Sequence, residues 1–472
     1  MTSIDATLLD RFAAIVGDAH ALRAEADIAP YLRELRGLWR GQTPLVLKPG
    51  SVEEVSRILK LATETKTPIV PQGGNTGLVG GQVPHAAGNE IVVSLSRLNR
   101  VREIDTLSNT VTAEAGVVLE ALHRTVDAVD RMFPLSLASQ GSCQIGGNLS
   151  SNAGGTAVLA YGNTRELCLG VEVVLPTGEV FDDLRKLKKD NTGYDLKNLF
   201  IGAEGTLGII TAAVLKIFPK PRGREVGWAG VSSPEAALAL FGLASDLAGG
   251  NLTAFELIGK EPLDFSLRFT GNARTPLAGE WPWHVLVEIS SGRSAEDARG
   301  LIETILSEGL EKGLAGDAAI AESIGQANAF WALRENISEA QKPEGASIKH
   351  DISIPIASVP EFIARAAVAV ESVSPGARVV CFGHMGDGNL HYNVSQPVGA
   401  DPQAFLALYR SMHQAVHDIV RDLNGSISAE HGIGQLKRDE LLATAPPVGI
   451  DLMRRVKAAF DPAGIMNPGK VL

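Results

Sequence analysis

Cysteine is scarce. Only Cys143, Cys168 and Cys381 occur in 472 residues, and no two of them form a CxxC pair. That excludes a disulfide framework and suits a reducing compartment. There is no apolar run of about 18 residues, so no membrane span is expected. Basic residues are outnumbered, and the net charge of −11 leaves no field to draw nucleic acid or an anionic membrane surface. Any anionic substrate must be caught by local cations. The opening "MTSIDATLLDRFAAIVGDAHALRAE" reads as an amphipathic helix; with Asp5, Asp10 and Asp18 and no uninterrupted apolar stretch, it does not read as a signal or transit peptide. The expectation is a bacterial-type cytoplasmic protein.

The 45% hydrophobic and 21% charged residues are ordinary for a globular chain, and this length allows two or three domains. No internal repeat or low-complexity segment interrupts it. Ser51 and Glu54 predict a capping box opening a helix whose apolar stripe is Val55, Ile58, Leu59 and Ala62. "TPIV", "EIVVSLSRLNRV", "TVTAEAGV", "GVEVVLPTGEVF" and "LGIITAAVLKIF" read as β-branched strands, antiparallel in character. "FPKPRGREV" marks a boundary. Beyond it, helices such as "SPEAALALFGLASDLA" and "SAEDARGLIETILSEGL" alternate with strands such as "WHVLVEIS", which predicts one sheet with helices on one face. The expected fold is α+β: an N-terminal domain over 1–222, a second domain with one antiparallel sheet over 223–424, and a C-terminal segment over 425–472 that completes the site.

Fifty glycines are more than average usage, and several of them cluster in three segments. "PQGGNTGLVGG" offers backbone N–H groups that no side chain blocks, suited to an anion. It is not a Walker A loop, because no Gly-Lys-Ser/Thr follows, and no helix-like stretch follows to make it a Rossmann fingerprint. "QGSCQIGGNLSSNAGGTAVLAYG" presents small donors with almost no charge, and "IGAEGTLGIIT" runs into a strand. Three such segments in one domain point to a long phosphate-containing cofactor lying along a groove.

"PQGGNTGL", "GGNLSSNAGG", "GAEGTLGIIT" and the closing "FDPAGIMNPGK" resemble the FAD-binding domain of the vanillyl-alcohol oxidase type, with its C-terminal segment. The resemblance implies that residues 73–78 (Gly73, Gly74, Asn75, Thr76, Gly77 and Leu78) hold the FAD pyrophosphate. It implies that residues 141–155 line the flavin through Gly141, Ser142, Gly146, Gly147, Asn148, Ser151, Asn152, Gly154 and Gly155. The resemblance further implies cofactor contacts at Pro71, Gln82, Ser94, Leu135, Tyr161, Gly162, Glu204, Gly205, Gly208, Ile209 and Asn467. Many relatives tether the flavin through a histidine in or near the first loop. Here that loop has Asn75 and no histidine, so the FAD is expected to be noncovalent.

"CFGHMGDGNLHYN" sets His384 and His391 around a glycine-rich "GDG" turn. The three glycines argue against a helix, and a β-hairpin would put His391 and Asn393 on one face of the returning strand. "SISAEHGIGQLK" places Glu430 and His431 at a strand end. Two imidazoles and a carboxylate suit a divalent ion with an open position, zinc first and manganese, cobalt or iron after it. "GHMGDGNLHYN" and "AEHGIG" resemble the metal-dependent FAD-linked 2-hydroxyacid dehydrogenases, among them the D-lactate, glycolate and D-2-hydroxyglutarate enzymes, the last being closest. In "WALRENISEAQKPEGASIKHDISIP", Arg334, Ser338 and Lys349 match that group's pattern for holding substrate carboxylates, with serine where threonine is usual. Arg334 and Ser338 at i and i+4 would share a helix face.

The resemblance implies oxidation of D-2-hydroxyglutarate, and of D-malate less well, to the 2-oxo acid. The ion would polarise the 2-hydroxyl, His431 would take its proton, and the hydride would pass to flavin N5. Arg334, Ser338, Lys349, Asn393 and His431 would hold the substrate. An electron-transfer flavoprotein or a quinone-linked partner is the expected acceptor, with direct oxidation by O₂ left open, and a homodimer is the expected assembly. D-lactate or glycolate oxidation is the alternative within the group. A metallohydrolase would leave the glycine segments idle, and a non-enzymatic nucleotide binder would need neither the metal set nor the cations.

Overall fold

Ser51 begins the helix Val52–Thr65 by accepting a hydrogen bond from the Glu54 N–H at 3.2 Å. The reciprocal half of the expected box shifts by one residue, because the Glu54 carboxylate takes the Gly50 N–H at 2.7 Å. Val55, Ile58, Leu59 and Ala62 are all fully buried, so the predicted stripe is the packed one. The computed structural model describes residues 4–271 and 273–472. Its N-terminal helix is shorter than the sequence pattern predicts. It spans Ala6–Val16 and stops at Gly17, which adopts φ 79°, and a short turn and the strand Ala21–Leu22 follow.

The chain separates into two compact units. The first comprises the residues up to Gly155, Gly162–Pro219 and Glu430–Leu472; the second comprises Thr156–Tyr161 and Lys220–Ala429. In the first, the strands Ala21–Leu22, Val46–Leu47, Ile91–Ser94 and Ile69–Gln72 lie side by side in that order. The last three pair in parallel, which departs from the antiparallel character read from the sequence. Parallel pairing needs a crossover, and the helix Val52–Thr65 supplies a connection of that length. A second sheet follows the expected antiparallel pattern, in the order Val101–Asp105, Thr110–Glu114, Ile209–Lys216, Cys168–Val174 and Val180–Asp183.

The second unit is built on one antiparallel sheet of eight strands. Its order is Asp317–Ile320, Gly223–Val231, Trp283–Ser291, Leu252–Gly259, Arg378–His384, Asn389–Ser395 and Ser347–Ile348, with Asp351–Ser353 also pairing to Asn389–Ser395. Helices cover both faces, not one. Phe255 and Leu257 pack with the helices Pro234–Ala248, Ala295–Glu311, Val359–Val373 and Tyr409–Asp422. Ala254 and Ile258 pack with Lys260–Thr270, Ile324–Glu335 and Ile337–Ala340. The reason is legible in the strands: they carry apolar side chains on both faces, and each face must be covered.

Candidate active site

In the first unit, the strand Ile69–Gln72 delivers the loop that begins at Gly73. Asn75 takes a left-handed φ of 55° and donates its Nδ2 to the carbonyls of Pro30 and Arg33 at 3.0 and 2.9 Å. A Cβ on Gly74 would stand 2.0 Å from the Ser142 carbonyl, so the first and second glycine segments meet only because this residue is glycine. Gly147, on the helix Ile145–Ser151, has open space where a Cβ would point.

Around these loops several polar atoms are sealed from water with no protein partner: Asn75 Oδ1, Gln144 Oε1, Asn148 Nδ2 and Asn467 Oδ1. Buried polar groups are ordinarily satisfied, so four such atoms beside a glycine cradle fit a hydrogen-bonding cofactor such as FAD. Gln144 was not singled out by sequence reasoning; its position inside "SCQIGG" was the only signal. Some expected donors have structural work instead. Ser151 Oγ bonds back to the Gly147 carbonyl at 3.1 Å, Ser142 Oγ to Ser139, and Asn152 Oδ1 accepts the Arg165 N–H at 3.0 Å. Gln82 closes its own loop onto the Gly77 carbonyl at 2.8 Å, and Ser94 bonds Ser96.

The third segment is tied to the tail by charge and backbone. Half-buried Glu204, at φ 51°, accepts the N–H groups of Ile433 and Gly434 at 2.7 and 2.8 Å, and withdrawal of its carboxyl from water pushes that group's pKa up. Asn467 donates to the carbonyls of Gly81 and Glu204, both at 2.9 Å. A Cβ on Gly205 would stand 2.6 Å from Pro71, so that glycine serves close packing between segments. Glu430 accepts the Gly155 N–H at 2.6 Å, and one ligand atom each of Glu430 and His431 lie within 4.8 Å of each other. The expected strand before Glu430 reduces to one bridge between Ser426 and Ser353. Tyr161 belongs to the other unit, on the short helix Val158–Tyr161.

In the second unit, Arg378–His384 and Asn389–Ser395 form the predicted hairpin, with Phe382 opposite His391 and His384 opposite Asn389. Gly388 makes the turn at φ 81°. The His384 and His391 rings stand 5.6 Å apart, with ligand nitrogens within 4.8 Å of one another. Glu256, on the neighbouring strand, was missed. Its Oε1 lies 2.7 Å from His384 Nδ1 and its Oε2 accepts from Arg334 Nε at 2.7 Å. Burial opposes the charge on Glu256, but the His384 and Arg334 charges outweigh it and hold the carboxyl down at about 2. The signal was one acidic residue in the otherwise uncharged strand "LTAFELIG". With Nδ1 held by the carboxylate, Nε2 is the His384 nitrogen that could ligate a metal ion.

Arg334 is buried, with its guanidinium 4.8 Å from the Phe382 ring centre. Ser338 is exposed, and the single helix expected to join the two breaks at Asn336 into Ile324–Glu335 and Ile337–Ala340. The pair therefore does not share one buried face. Lys349 is half-buried between the strands Ser347–Ile348 and Asp351–Ser353. Buried Asn393 accepts the His350 N–H at 3.2 Å, and Asp351 lies 3.9 Å from His391 Nδ1.

Residues 43–183 match the FAD binding domain family, and residues 220–471 match the family of FAD linked oxidases, C-terminal domain. The chain belongs to the FAD-linked oxidase family; it is a flavoprotein oxidoreductase. Among its relatives, it is 36% identical over 471 residues to the mitochondrial D-2-hydroxyglutarate dehydrogenase of Arabidopsis thaliana, covering 100% of this chain and 82% of that one. It is 37% identical to D-2-hydroxyglutarate dehydrogenase of Xanthomonas citri, covering 94% and 93%. It is 34% identical to a D-2-hydroxyglutarate–pyruvate transhydrogenase of Saccharomyces cerevisiae, covering 99% and 95%. The fold is also that of p-cresol methylhydroxylase, with a TM-score of 0.79 at 16% identity over 98% of this chain and 96% of that one. Among the described residues, no helix is long and apolar enough to cross a membrane.

Proposed function

We propose that this protein is a FAD- and divalent-metal-dependent dehydrogenase that oxidises D-2-hydroxyglutarate, and D-malate less well, to the 2-oxo acid. The observation that carries this reading is the buried row Arg334–Glu256–His384, with His391 beside it. It supports an imidazole pair oriented toward an ion and a guanidinium held at the same sheet face. The names of the relatives support the five-carbon substrate.

His384, His391 and Glu430 would hold the ion, zinc by preference, since two imidazoles and a carboxylate suit a borderline divalent metal. Glu430 directly follows Ala429, whose N–H is bonded to the carbonyl of Asp351, the residue opposite His391; chain continuity supports its joining the pair. When bound, the ion supplies Lewis acidity toward the 2-hydroxyl and the flavin supplies the hydride acceptor. His431 takes the hydroxyl proton as general base. Arg334 and Lys349 hold carboxylate charge, the guanidinium by its planar fork, while Ser338 and Asn393 add hydrogen bonds. The FAD is noncovalent, the electrons go to an electron-transfer flavoprotein or a quinone-linked acceptor, and the protein works as a cytoplasmic homodimer.

Anaerobic mixing with a panel of D- and L-2-hydroxy acids tests the reading. D-2-hydroxyglutarate should bleach the flavin fastest, D-malate more slowly, and the L-acids not at all. Faster bleaching by D-lactate would overturn the dicarboxylate assignment.

A further inference from the structure

The sheet that carries His384 and His391 has an opposite face, and three more histidines converge there. His350 lies between the strands Ser347–Ile348 and Asp351–Ser353, while His413 and His417 stand one turn apart on the helix Tyr409–Asp422. That i, i+4 spacing puts both imidazoles on one side of the helix. Their neighbours Met412 and Val416 belong to the apolar core on this face of the sheet, where a hydrophobic side chain would be the ordinary choice. Yet His350, His413 and His417 are only 1%, 8% and 0% exposed. Burying three imidazoles in one place forfeits three hydration shells, and ligation of a metal ion is one of the interactions that can offset that cost.

The geometry indicates which one. Ring centroids are 4.3 Å apart for His350 and His413, 5.3 Å for His350 and His417, and 4.8 Å for His413 and His417. One ring nitrogen of each lies within 4.8 Å of the others. Tetrahedral zinc with nitrogen ligands at 2.0–2.1 Å sets them about 3.4 Å apart, so small ring movements would close this set. His350 Nδ1 is 2.8 Å from the Tyr392 carbonyl oxygen. A carbonyl only accepts, so Nδ1 carries the proton and Nε2 keeps its lone pair, which is how a metal-binding imidazole is usually prepared.

We propose that His350, His413 and His417 form a second divalent-metal site, for zinc or a similar nitrogen-preferring ion, separate from the His384 and His391 pair. Three neutral imidazoles leave a fourth position, which water or hydroxide fills. The ion ties the helix Tyr409–Asp422 to the segment that carries Lys349 and Asp351.

The test counts metal. Flavin-loaded protein is stripped with a chelator, reloaded with Zn²⁺, freed of excess ion and analysed by mass spectrometry for zinc per chain. Wild type should hold two ions, and His391→Ala and His413→Gln one each. X-ray absorption of the zinc left in His391→Ala should show a shell of three imidazoles. That second measurement decides the matter even if His413→Gln does not fold. One ion in wild type, lost in His391→Ala and kept in His413→Gln, overturns the second site. One ion lost in His413→Gln and kept in His391→Ala supports it and counts instead against the catalytic ion proposed above.

Discussion

Glu256 shows how one side chain can organise a site. It is almost fully buried, and both of its oxygens are engaged, one by His384 and the other by Arg334. Removing one partner from such a network strands the other charge, which typically costs about 3–5 kcal/mol. Glu256→Gln should therefore lower unfolding stability by about that amount in urea, and weaken retained metal by roughly 10- to 100-fold. An unchanged denaturation midpoint would show that the row is not a coupled network. Lys349 makes a different prediction, because its proposed partner is the substrate's far carboxylate. Losing a charge-assisted bond of ~2–5 kcal/mol corresponds to a drop of about 30- to 1,000-fold or more in kcat/KM. Lys349→Ala should impose that loss on D-2-hydroxyglutarate and spare D-lactate, and equal losses on both would make the lysine structural.

At the scale of the element, the central strands of the second unit carry a pH-sensitive pair. Trp228 Nε1 donates to His284 Nδ1 at 3.1 Å, across the neighbouring strands Gly223–Val231 and Trp283–Ser291. Burial, reinforced by Lys260, lowers His284 from 6.5 to about 4. The unfolded chain then binds more protons than the folded one between those two values. Stability is complete above pH 6.5 and falls as the pH drops toward 4, by about 3 kcal/mol in total. His284→Gln should flatten that acid limb in denaturation curves taken from pH 7 to pH 4. A limb of unchanged slope would assign the acid sensitivity elsewhere. The break at Asn336 belongs to this scale too: spacing alone joined Arg334 to Ser338, but packing buried the first and exposed the second.

For the whole molecule, the first unit draws on three separate stretches of chain, so its glycine loops and tail meet only after folding. Glu204 and Asn467 are among the side chains that tie these stretches together. No histidine or cysteine stands in the loop over residues 71–81. Acid or heat precipitation should accordingly release free FAD into the supernatant; yellow colour held in the protein pellet would contradict a noncovalent flavin. The net charge of −11 makes the placement of each cation consequential, since an anionic substrate gains nothing from the molecule's overall field.

Local patterns alone determined much of this protein. The capped helix at Val52, the β-branched strands, the glycine segments and the hairpin around His384 and His391 all depend on interactions between near neighbours in sequence. Periodicity and turn chemistry therefore sufficed to predict them. Tertiary structure decided the rest. Parallel pairing in the small sheet, helices on both faces of the large one, and the union of Glu256 with Arg334 and His384 join residues far apart in the chain. His350 meeting His413 and His417 is the same kind of event. No local preference encodes such meetings, because a side chain's partner across a sheet is chosen by how the whole chain buries its apolar surface.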